Sequence, residues 1–441
     1  MFRLAVSATW CASIPRRLRD FLILSLLVAP LPCAAANYIA SEEKGWPQFR
    51  GPHRDGISRE TGLLQAWPDG GPLVLWSATN LGAGYCSPII SSNRIYITGD
   101  VVEELHIFAL DLQGRRLWTA TNGASWKNPF PGARASCAYA AGRIYHMNGH
   151  GQVACFEARD GRLVWRVDMV GQFESQKPTW GVAECLLVDG DRVIVTPGGR
   201  KAAMAALNKD TGERVWATDP LPNEKGDVEG PSYASPVLVE VLGQRHLVGA
   251  TARHFFGVDA DNGKLQWQFP FPTRYEVLAL SPVVAGDGVF VTGPDAEGGK
   301  FLRFSKRNGL IAVDLAWTAS LDTCHGGIIA LDGFLYGSWY RSFNGWGCVN
   351  VKDGSVPYRD RELAMGSVLY ADGRLYCLSQ TGTMSLVKPN AEKWEIISRF
   401  EFANEPKKDV WAHPVILDGR LYLRHQQTLR CYDIRSRPPG N

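Results

Sequence analysis

Eight times along this sequence the same short phrase recurs, and side chains able to bind a ligand stand just before it. They are aromatic, cationic, acidic or imidazole-bearing: Tyr85, Arg134, Trp180, Glu184, Tyr233, His325 and Trp411. Aromatic side chains supply contact area and arginine supplies polar anchoring, so this mixture is typical of a binding site. Packing of the same aromatics between structural units explains them equally well.

The sequence supports a catalytic function less well than a binding function. A nucleophile or base needs a partner that holds it, and no spacing in the sequence indicates such a pair. His325, His413 and His254 are candidate bases or metal ligands, but they fall in repeats that are not neighbours. GxSxG, HExxH, CxxC and phosphate-binding glycine patterns do not occur, which leaves hydrolase, zinc and nucleotide functions without support. We therefore predict no catalytic residue and no metal site.

The phrase itself predicts the fold. It begins at eight positions spaced 40 to 50 residues apart: Ser87, Ser136, Cys185, Ser235, Ser281, Gly327, Ser367 and His413. Self-similarity at this period is typical of propellers and solenoids. Each unit contains short β-branched and aromatic runs separated by Asp-Gly or Asn-Gly turns, which favour hairpins. The prediction is an all-β, eight-bladed β-propeller of four-stranded antiparallel blades.

The ends of the chain predict how the ring closes. After His413 the sequence supplies only three strands, so the last blade lacks its outer strand. The run GPLVLWSATN around Trp76 has the missing outer-strand pattern. We expect residues 72–79 to complete the last blade, because closure removes an exposed sheet edge.

The N-terminus has the pattern of a targeting segment. Arg16, Arg17 and Arg19 precede the apolar run Phe21–Val28, and small residues follow at 34–36. We expect export to the periplasm or the medium and no transmembrane span in the mature chain; an uncleaved anchor is the alternative. The expected segments are a signal peptide (1–36), an N-terminal leader (37–71), the propeller (72–434) and a C-terminal tail (435–441).

The amino-acid composition narrows the classes of partner that the protein is expected to bind. The 441 residues carry a net charge of +3 and show no basic run or stripe, which gives no support for nucleic acid as a partner. The eight cysteines after the targeting segment are spread over the repeats, as expected for free thiols acting as small hydrophobes. We expect a monomer.

The repeat, with its strand, glycine turn, strand, Asp-Gly turn and outer tryptophan, resembles the pyrroloquinoline-quinone (PQQ)-like β-propeller repeat over roughly residues 72–434. The segment WPQFRGPHRDGIS, Trp46–Ser58, resembles the sequence that precedes the propeller in exported bacterial members. The resemblance implies either a quinoprotein dehydrogenase or a non-enzymatic propeller similar to the subunit of the outer-membrane β-barrel assembly machinery, which binds proteins. Fold alone does not choose between them.

The dehydrogenase alternative implies calcium held by carboxylate and amide oxygens, an aspartate base and a disulfide between adjacent cysteines. The sequence has no adjacent cysteines and no acidic cluster that the repeat would bring together. We therefore predict a ligand- or protein-binding scaffold in the cell envelope. A PQQ-dependent oxidoreductase with a reduced cofactor site, using PQQ and calcium, and a polysaccharide-binding propeller are the alternatives.

The binding face should be one mouth of the central channel, because the first strand of each blade lines that channel. Most repeat-start residues are small, and His413 is the exception. The segment Ser338–Gly347 adds Trp339, Tyr340 and Trp346 to the same face. There we expect a protein, or a small-molecule or glycan ligand, to bind.

Overall fold

The computed structural model describes residues 36–223, 225–403 and 409–436, and nearly all regular structure within these ranges is β. The strands form eight antiparallel sheets, seven of four strands and one of five. The helical structure in these ranges is one turn, α1 (Met169–Gln172). The predicted eight-bladed β-propeller is confirmed. The predicted signal peptide, except Ala36, lies outside the described residues.

The first two strands of the chain belong to distant blades and are β1 (Asn37–Tyr38) and β2 (Leu73–Ala78). Blade 1 contains β3 (Ile89–Ser91), β4 (Arg94–Val101), β5 (Glu104–Asp111) and β6 (Arg116–Ala124). Blade 2 contains β7 (Ala138–Ala140), β8 (Arg143–Met147), β9 (Gln152–Glu157) and β10 (Leu163–Asp168). Blade 3 contains β11 (Leu187–Asp189), β12 (Arg192–Val195), β13 (Ala205–Asn208) and β14 (Arg214–Ala217).

Blade 4 contains β15 (Val237–Val241), β16 (Gln244–Ala250), β17 (His254–Asp259) and β18 (Leu265–Pro270), with β1 added beside β15. Blade 5 contains β19 (Val283–Ala285), β20 (Gly288–Thr292), β21 (Gly299–Arg307) and β22 (Leu310–Ala319). Blade 6 contains β23 (Ile328–Leu331), β24 (Phe334–Trp339), β25 (Gly345–Asn350) and β26 (Tyr358–Asp360).

Blade 7 contains β27 (Gly366–Ala371), β28 (Arg374–Ser379), β29 (Thr383–Val387) and β30 (Ile396–Glu401). Blade 8 contains β31 (Val415–Leu417), β32 (Arg420–His425) and β33 (Thr428–Asp433), and β2 is its outer strand. β2 pairs antiparallel with β33 from Leu73 opposite Asp433 to Ala78 opposite Leu429. The predicted closure by an N-terminal strand is confirmed.

The outer tryptophans join neighbouring blades. Trp76 lies on the turn glycine of blade 1: a Cβ added to Gly114 would be 2.6 Å from the indole ring. The Trp76 Nε1–H donates to the carbonyl of Leu112 at 2.9 Å. The same ring-on-glycine contact is made by Trp118 with Gly161, Trp165 with Gly212, Trp216 with Gly263 and Trp317 with Gly354. The repeated turn and aromatic therefore form the contact between successive blades.

Two alanine substitutions can be compared to measure how much the contact between Trp76 and Gly114 contributes to the unfolding free energy. Gly114 and Gly142 both occupy turns at positive φ (78° and 79°), but nothing lies within 4 Å of a Cβ added at Gly142. Gly142→Ala should cost about 1–2 kcal/mol of unfolding free energy, the backbone penalty alone. Gly114→Ala should cost about 1–3 kcal/mol more, because the Trp76 ring must move. Equal urea midpoints for the two variants would contradict the docking role of Trp76.

The leader (residues 37–71) runs across the inner strands of the propeller. Tyr38 pairs with β15, and its hydroxyl accepts a hydrogen bond from the Val284 N–H of blade 5 at 2.8 Å. Trp46 and Ile90 of blade 1 exchange two main-chain hydrogen bonds, and the Ser58 N–H donates to Tyr370 of blade 7. The leader is thus built into the ring.

The leader closes one end of the channel. The Glu60 carboxylate accepts hydrogen bonds from the N–H groups of Asp418 and Gly419, and the Leu63 N–H donates to the carboxylate of Asp372. These partners lie in turns between first and second strands. Because strands alternate in direction, those turns lie at the end opposite the blade-to-blade loops. The sequence pattern did not predict this cap.

The eight cysteines in the described ranges are all free thiols, and seven of them are buried. Four of them lie in strands (Cys155, Cys348, Cys377 and Cys431), and the other four lie in the segments just before first strands (Cys86, Cys137, Cys185 and Cys324). Within these ranges, no helix has the length and apolar character needed to cross a membrane.

Candidate functional site

A cavity of about 370 Å³ opens at the end of the channel that the leader leaves free. We call it the cup. Its floor includes Phe49 of the leader and the repeat-start residues Ser87, Ser136, Cys185, Ser235 and His413. Its walls come from blade-to-blade loops and from second-to-third-strand loops of blades 5 and 6. The leader therefore converts an open channel into a blind-ended site.

The structure places eight of the eleven predicted binding residues on the wall or floor of the cup: Tyr85, Arg134, Trp180, Tyr233, His325, Tyr340, Trp411 and His413. The alternating strand direction brings their loops to one mouth, although they are far apart in sequence. The other three predicted residues, Glu184, Trp339 and Trp346, lie elsewhere.

Trp339 and Trp346 lie in strands and do not reach the face where the sequence placed them. β24 ends at Trp339 and β25 begins at Gly345, so both indoles are fully buried between blades. Trp346 stacks on Trp394 of blade 7 with ring centroids 5.7 Å apart, and its Nε1–H donates to the carbonyl of Ala364. Of that aromatic segment, Tyr340 and Arg341 reach the cup.

Glu184 points away from the cup because neighbouring extended residues face opposite sides. Ala183 and Cys185 line the cup, while the Glu184 side chain is buried and accepts a hydrogen bond from the Thr196 N–H at 3.0 Å. Burial raises the pKa of Glu184 to about 8, against the lowering effect of its contacts with Thr196 and Arg54. Its carboxyl group is therefore mostly protonated at neutral pH.

One wall of the cup is a continuous aromatic cluster around Trp411. The Trp411 ring centroid lies 4.5 Å from that of His325, 4.9 Å from Tyr85 and 5.7 Å from Phe130. Tyr340 meets His325 edge to face at 5.8 Å. Such contacts fix each ring through its neighbours, so this wall is preformed.

Arg134 holds a loop and is not a free anchor for a ligand. Its guanidinium donates to the carbonyls of Trp180 (2.6 Å), Gly132 (2.6 Å), Phe130 (2.7 Å) and Pro129 (3.0 Å). These bonds use four of the five N–H groups that arginine has. These contacts give Arg134 a positioning role in its loop, and its role as a polar anchor for a ligand stays a prediction.

His413 connects the floor of the cup to the leader. Its Nε2 lies 2.8 Å from the carbonyl oxygen of His325, and its Nδ1 lies 3.3 Å from Nη1 of the buried Arg50. Burial, reinforced by the Arg50 charge, lowers the pKa of His413 to about 3. The neutral ring therefore donates through Nε2 and accepts through Nδ1. Phe49 packs edge to face on it at 5.0 Å.

Neither ring nitrogen of His325 has a hydrogen-bond partner among the described residues. The imidazole lies partly exposed between Trp411 and Tyr340. Burial lowers the pKa of His325 to about 4, so the ring is neutral at physiological pH. It presents one donor and one acceptor to the cup. Within the described ranges no carboxylate orients it, so it has there no partner of the kind that a catalytic base needs.

The charges at the rim largely compensate each other. Arg341 lies 3.5 Å from the carboxylate of Asp295 and stacks over Tyr340 at 5.2 Å. Arg253 likewise pairs with Glu276 at 3.3 Å. Among the described lining residues, Arg134 is then the one whose charge has no carboxylate within ion-pair distance, and its guanidinium is directed to loop carbonyls.

The sequence did not single out several lining residues: Phe49, Phe130, Tyr275, Asp295 and Cys324. Phe130 lies in the aromatic connection 125–134, whose composition was a usable indication. No feature of the sequence indicated Phe49, because its position depends on the leader entering the channel.

The residues of the cup do not fit a calcium-held quinone. Calcium takes six or more oxygen ligands, whereas the lining includes a single carboxylate, Asp295, which is paired with Arg341. No group of three or more His, Cys, Asp or Glu side chains within the described ranges is arranged to hold a metal ion. The lining residues therefore give no support to a site for PQQ and calcium.

The fold and the tryptophan-docked blades define a PQQ-like β-propeller with an aromatic cup at one mouth. The chain belongs to the family described as outer membrane protein assembly factor BamB, whose family model matches residues 103–359, more than half of the chain. The dehydrogenase likeness is one of fold alone.

A curated relative is the outer membrane protein assembly factor BamB of Burkholderia pseudomallei (strain K96243), 30% identical over 207 residues. That match covers 44% of this chain and 49% of the relative, so it spans about half of the relative's length. BamB from Moraxella catarrhalis superposes with a TM-score of 0.57 at 13% identity, covering 83% of this chain and 99% of that one. Quinohemoprotein alcohol dehydrogenase from Comamonas testosteroni gives 0.62 at 14% identity, covering 90% and 82%.

Proposed function

We propose that this protein is a binding scaffold of the cell envelope that holds a partner protein at the cup. The observation that carries the proposal is the preformed aromatic wall around Trp411 at an open, blind-ended mouth. Binding sites are concave and mostly apolar, with few polar groups, and the cup fits this description. Membership of a family named for an outer-membrane assembly factor supports a protein as the partner.

The proposed location is the periplasm or the medium. The basic and apolar pattern of residues 1–36 supports their function as a signal peptide, followed by the leader and the propeller. We propose that the mature protein functions as a monomer, because the ring is closed by its own N-terminal strand and needs no second copy to complete a blade.

Blocking the cup tests this proposal. Tyr275 lines the cup and is 47% exposed, so a photo-crosslinking amino acid at this position should capture the partner in envelope preparations. In the same crosslinking protein, the additional substitution Ala279→Trp places an indole in the cup. It should reduce the yield of the crosslinked adduct at least tenfold. Ala316→Trp, on the exposed outer strand of blade 5, is the matched control and should leave the adduct unchanged.

The outcomes separate the alternatives. A protease-sensitive adduct that depends on Ala279 supports a protein partner. A protease-resistant, heterogeneous adduct would identify a polysaccharide ligand instead. Undiminished crosslinking in the Ala279→Trp protein would place the partner outside the cup and overturn the proposal.

A further inference from the structure

We propose that the cup receives an uncharged aromatic side chain of the partner protein that also carries a hydrogen-bonding group, a tyrosine or a tryptophan. Its ring would pack on Trp411, and its polar atom would pair with a ring nitrogen of His325. This inference rests on the proposed function, because it assumes that the partner binds at the cup.

The size and shape of the cup favour one compact group. Its volume of about 370 Å³ is at the lower end of the range of about 300–1,000 Å³ for ligand pockets. Phe49 of the leader lies in the lining and packs on His413 with ring centroids 5.0 Å apart, so the leader occupies this part of the channel. A side chain that projects from a partner's loop can enter from the open mouth.

The walls favour an aromatic group. Rings attract each other best in offset or edge-to-face arrangements at centroid separations of about 4.5–7 Å. The cluster of Trp411, His325, Tyr85 and Phe130 already has these separations, and Trp180 and Tyr233 form a second pair at 5.9 Å across the mouth. A further ring between the two clusters would extend the same geometry.

The electrostatics favour an uncharged group. Four of the five Arg134 N–H groups are bonded to carbonyls, and the single lining carboxylate, Asp295, is paired with Arg341. Among the described lining residues, a cation would find no free carboxylate, and an anion would find a single unbonded N–H of Arg134, which is too little to replace its hydration. Both would be bound less well than a neutral ring.

His325 adds the requirement for a hydrogen bond. Its ring is held between Trp411 and Tyr340, and neither of its nitrogens has a hydrogen-bond partner among the described residues. The Trp411 Nε1–H of the same wall also lacks a partner there, but it is buried and can only donate. A group that lacks a donor or acceptor would shield these nitrogens from water without replacing the lost hydrogen bonds. A phenol or indole replaces one of them, and toluene does not.

Small probes test the chemistry on the whole mature protein. Calorimetric titration with p-cresol and indole should give dissociation constants about tenfold lower than with toluene, cyclohexanol, 4-methylbenzoate or 4-methylbenzylammonium, which corresponds to one good hydrogen bond or ring contact. Equal or tighter binding of any of these four comparison compounds would overturn the proposal.

Substitution of His325 tests the position of the hydrogen bond. His325→Phe keeps a ring against Trp411 and removes both nitrogens, so the p-cresol to toluene preference should fall to about 1. His106→Phe, at the side of blade 1 outside the cup, is the matched control and should keep the full preference. An unchanged preference in a His325→Phe protein with the wild-type melting temperature would contradict the pairing with His325.

A peptide identifies the source of the group. The heptapeptide Gly-Gly-Ser-Tyr-Ser-Gly-Gly should bind with the same His325 dependence as p-cresol, and versions with phenylalanine or lysine in the central position should bind about tenfold more weakly. Binding of p-cresol without binding of the peptide would assign the cup to a free small molecule and overturn the proposal. If the Tyr275 adduct persists while all probes fail, this inference is wrong and the proposed function stands.

Discussion

Replacing Arg50 by methionine should lower the unfolding free energy by about 3–5 kcal/mol. The Arg50 guanidinium lies buried at the axis and donates to the carbonyls of Asp55 (2.8 Å) and Ile328 (2.6 Å), and it lies 3.3 Å from His413 Nδ1. Methionine fills similar space but leaves three buried acceptors without a donor, and each costs about 1–3 kcal/mol. Urea denaturation at neutral pH measures the loss.

Arg59→Met in the same leader is the matched control. The Arg59 side chain is 59% exposed, lies 3.4 Å from the Asp55 carboxylate and makes a second, exposed contact with His53 Nδ1 at 3.0 Å, so its loss should change stability by less than about 0.5 kcal/mol. Equal effects of the two substitutions would mean that the leader lies on the ring without stabilising it.

The Arg50 site also explains a feature of the repeat. A Cβ at Gly327 would lie 1.9 Å from Arg50 Nη1, so the glycine at this repeat start makes room for the guanidinium. Burial lowers the pKa of Arg50. The sequence alone shows only a small residue at the start of the sixth repeat, whereas the structure shows why it has no side chain.

The protein should lose stability steeply below about pH 6. Burial lowers the pKa values of His146 and His413 to about 3 and of His246 and His325 to about 4. An unfolded histidine titrates near 6.5, so the unfolded chain binds protons that the fold excludes. The stability that these neutral rings contribute is complete above pH 6.5 and is lost as the pH falls toward 4 and 3.

Two carboxyl groups act in the opposite direction. Burial raises the pKa of Glu184 to about 8 and of Asp100 to about 6, so near pH 5 the fold holds protons there that the unfolded chain releases. For these six groups taken together, the balance is about two more protons on the unfolded chain, and their contribution is a loss of roughly 3 kcal/mol per pH unit around pH 5. Urea midpoints measured between pH 7 and 4.5 test this slope.

His413→Gln should reduce that slope by about 1.4 kcal/mol per pH unit, because one titrating ring is removed. The glutamine amide can still donate to the His325 carbonyl and accept from Arg50, the two groups that face His413. Stability at pH 7.5 should therefore change little. Identical slopes in the two proteins would show that His413 is not neutralised by the fold.

The fold could be predicted because it is encoded locally and repeatedly. Hairpin turns, β-branched runs and the Gly114-to-Trp118 spacing recur, and each recurrence specifies the same four strands. Closure was predictable by counting, since the last repeat lacked the strand that Leu73–Ala78 supplies. The place of the leader was not predictable, because its contacts join residues that are hundreds of positions apart, as Arg50 and His413 do.

The site was predictable in part, for the same reason. Loops between repeats must meet at one mouth, so Tyr85, His325 and Trp411 could be expected near each other. Whether a side chain enters the mouth depends on the residue at which a strand ends and on the direction in which the side chain points. The repeat pattern does not predict either of these to within one residue. Trp346 and Glu184 were misplaced by these one-residue effects.

The sequence by itself therefore determined the eight blades, their order and the strand that closes them, because these follow from short-range patterns repeated along the chain. Only the tertiary structure decided that the leader closes one end of the channel, that Arg134 is occupied by loop carbonyls and that His325 remains unpaired in the cup. These facts depend on which polar atoms find partners across the ring, and that matching exists only when all eight blades are in place.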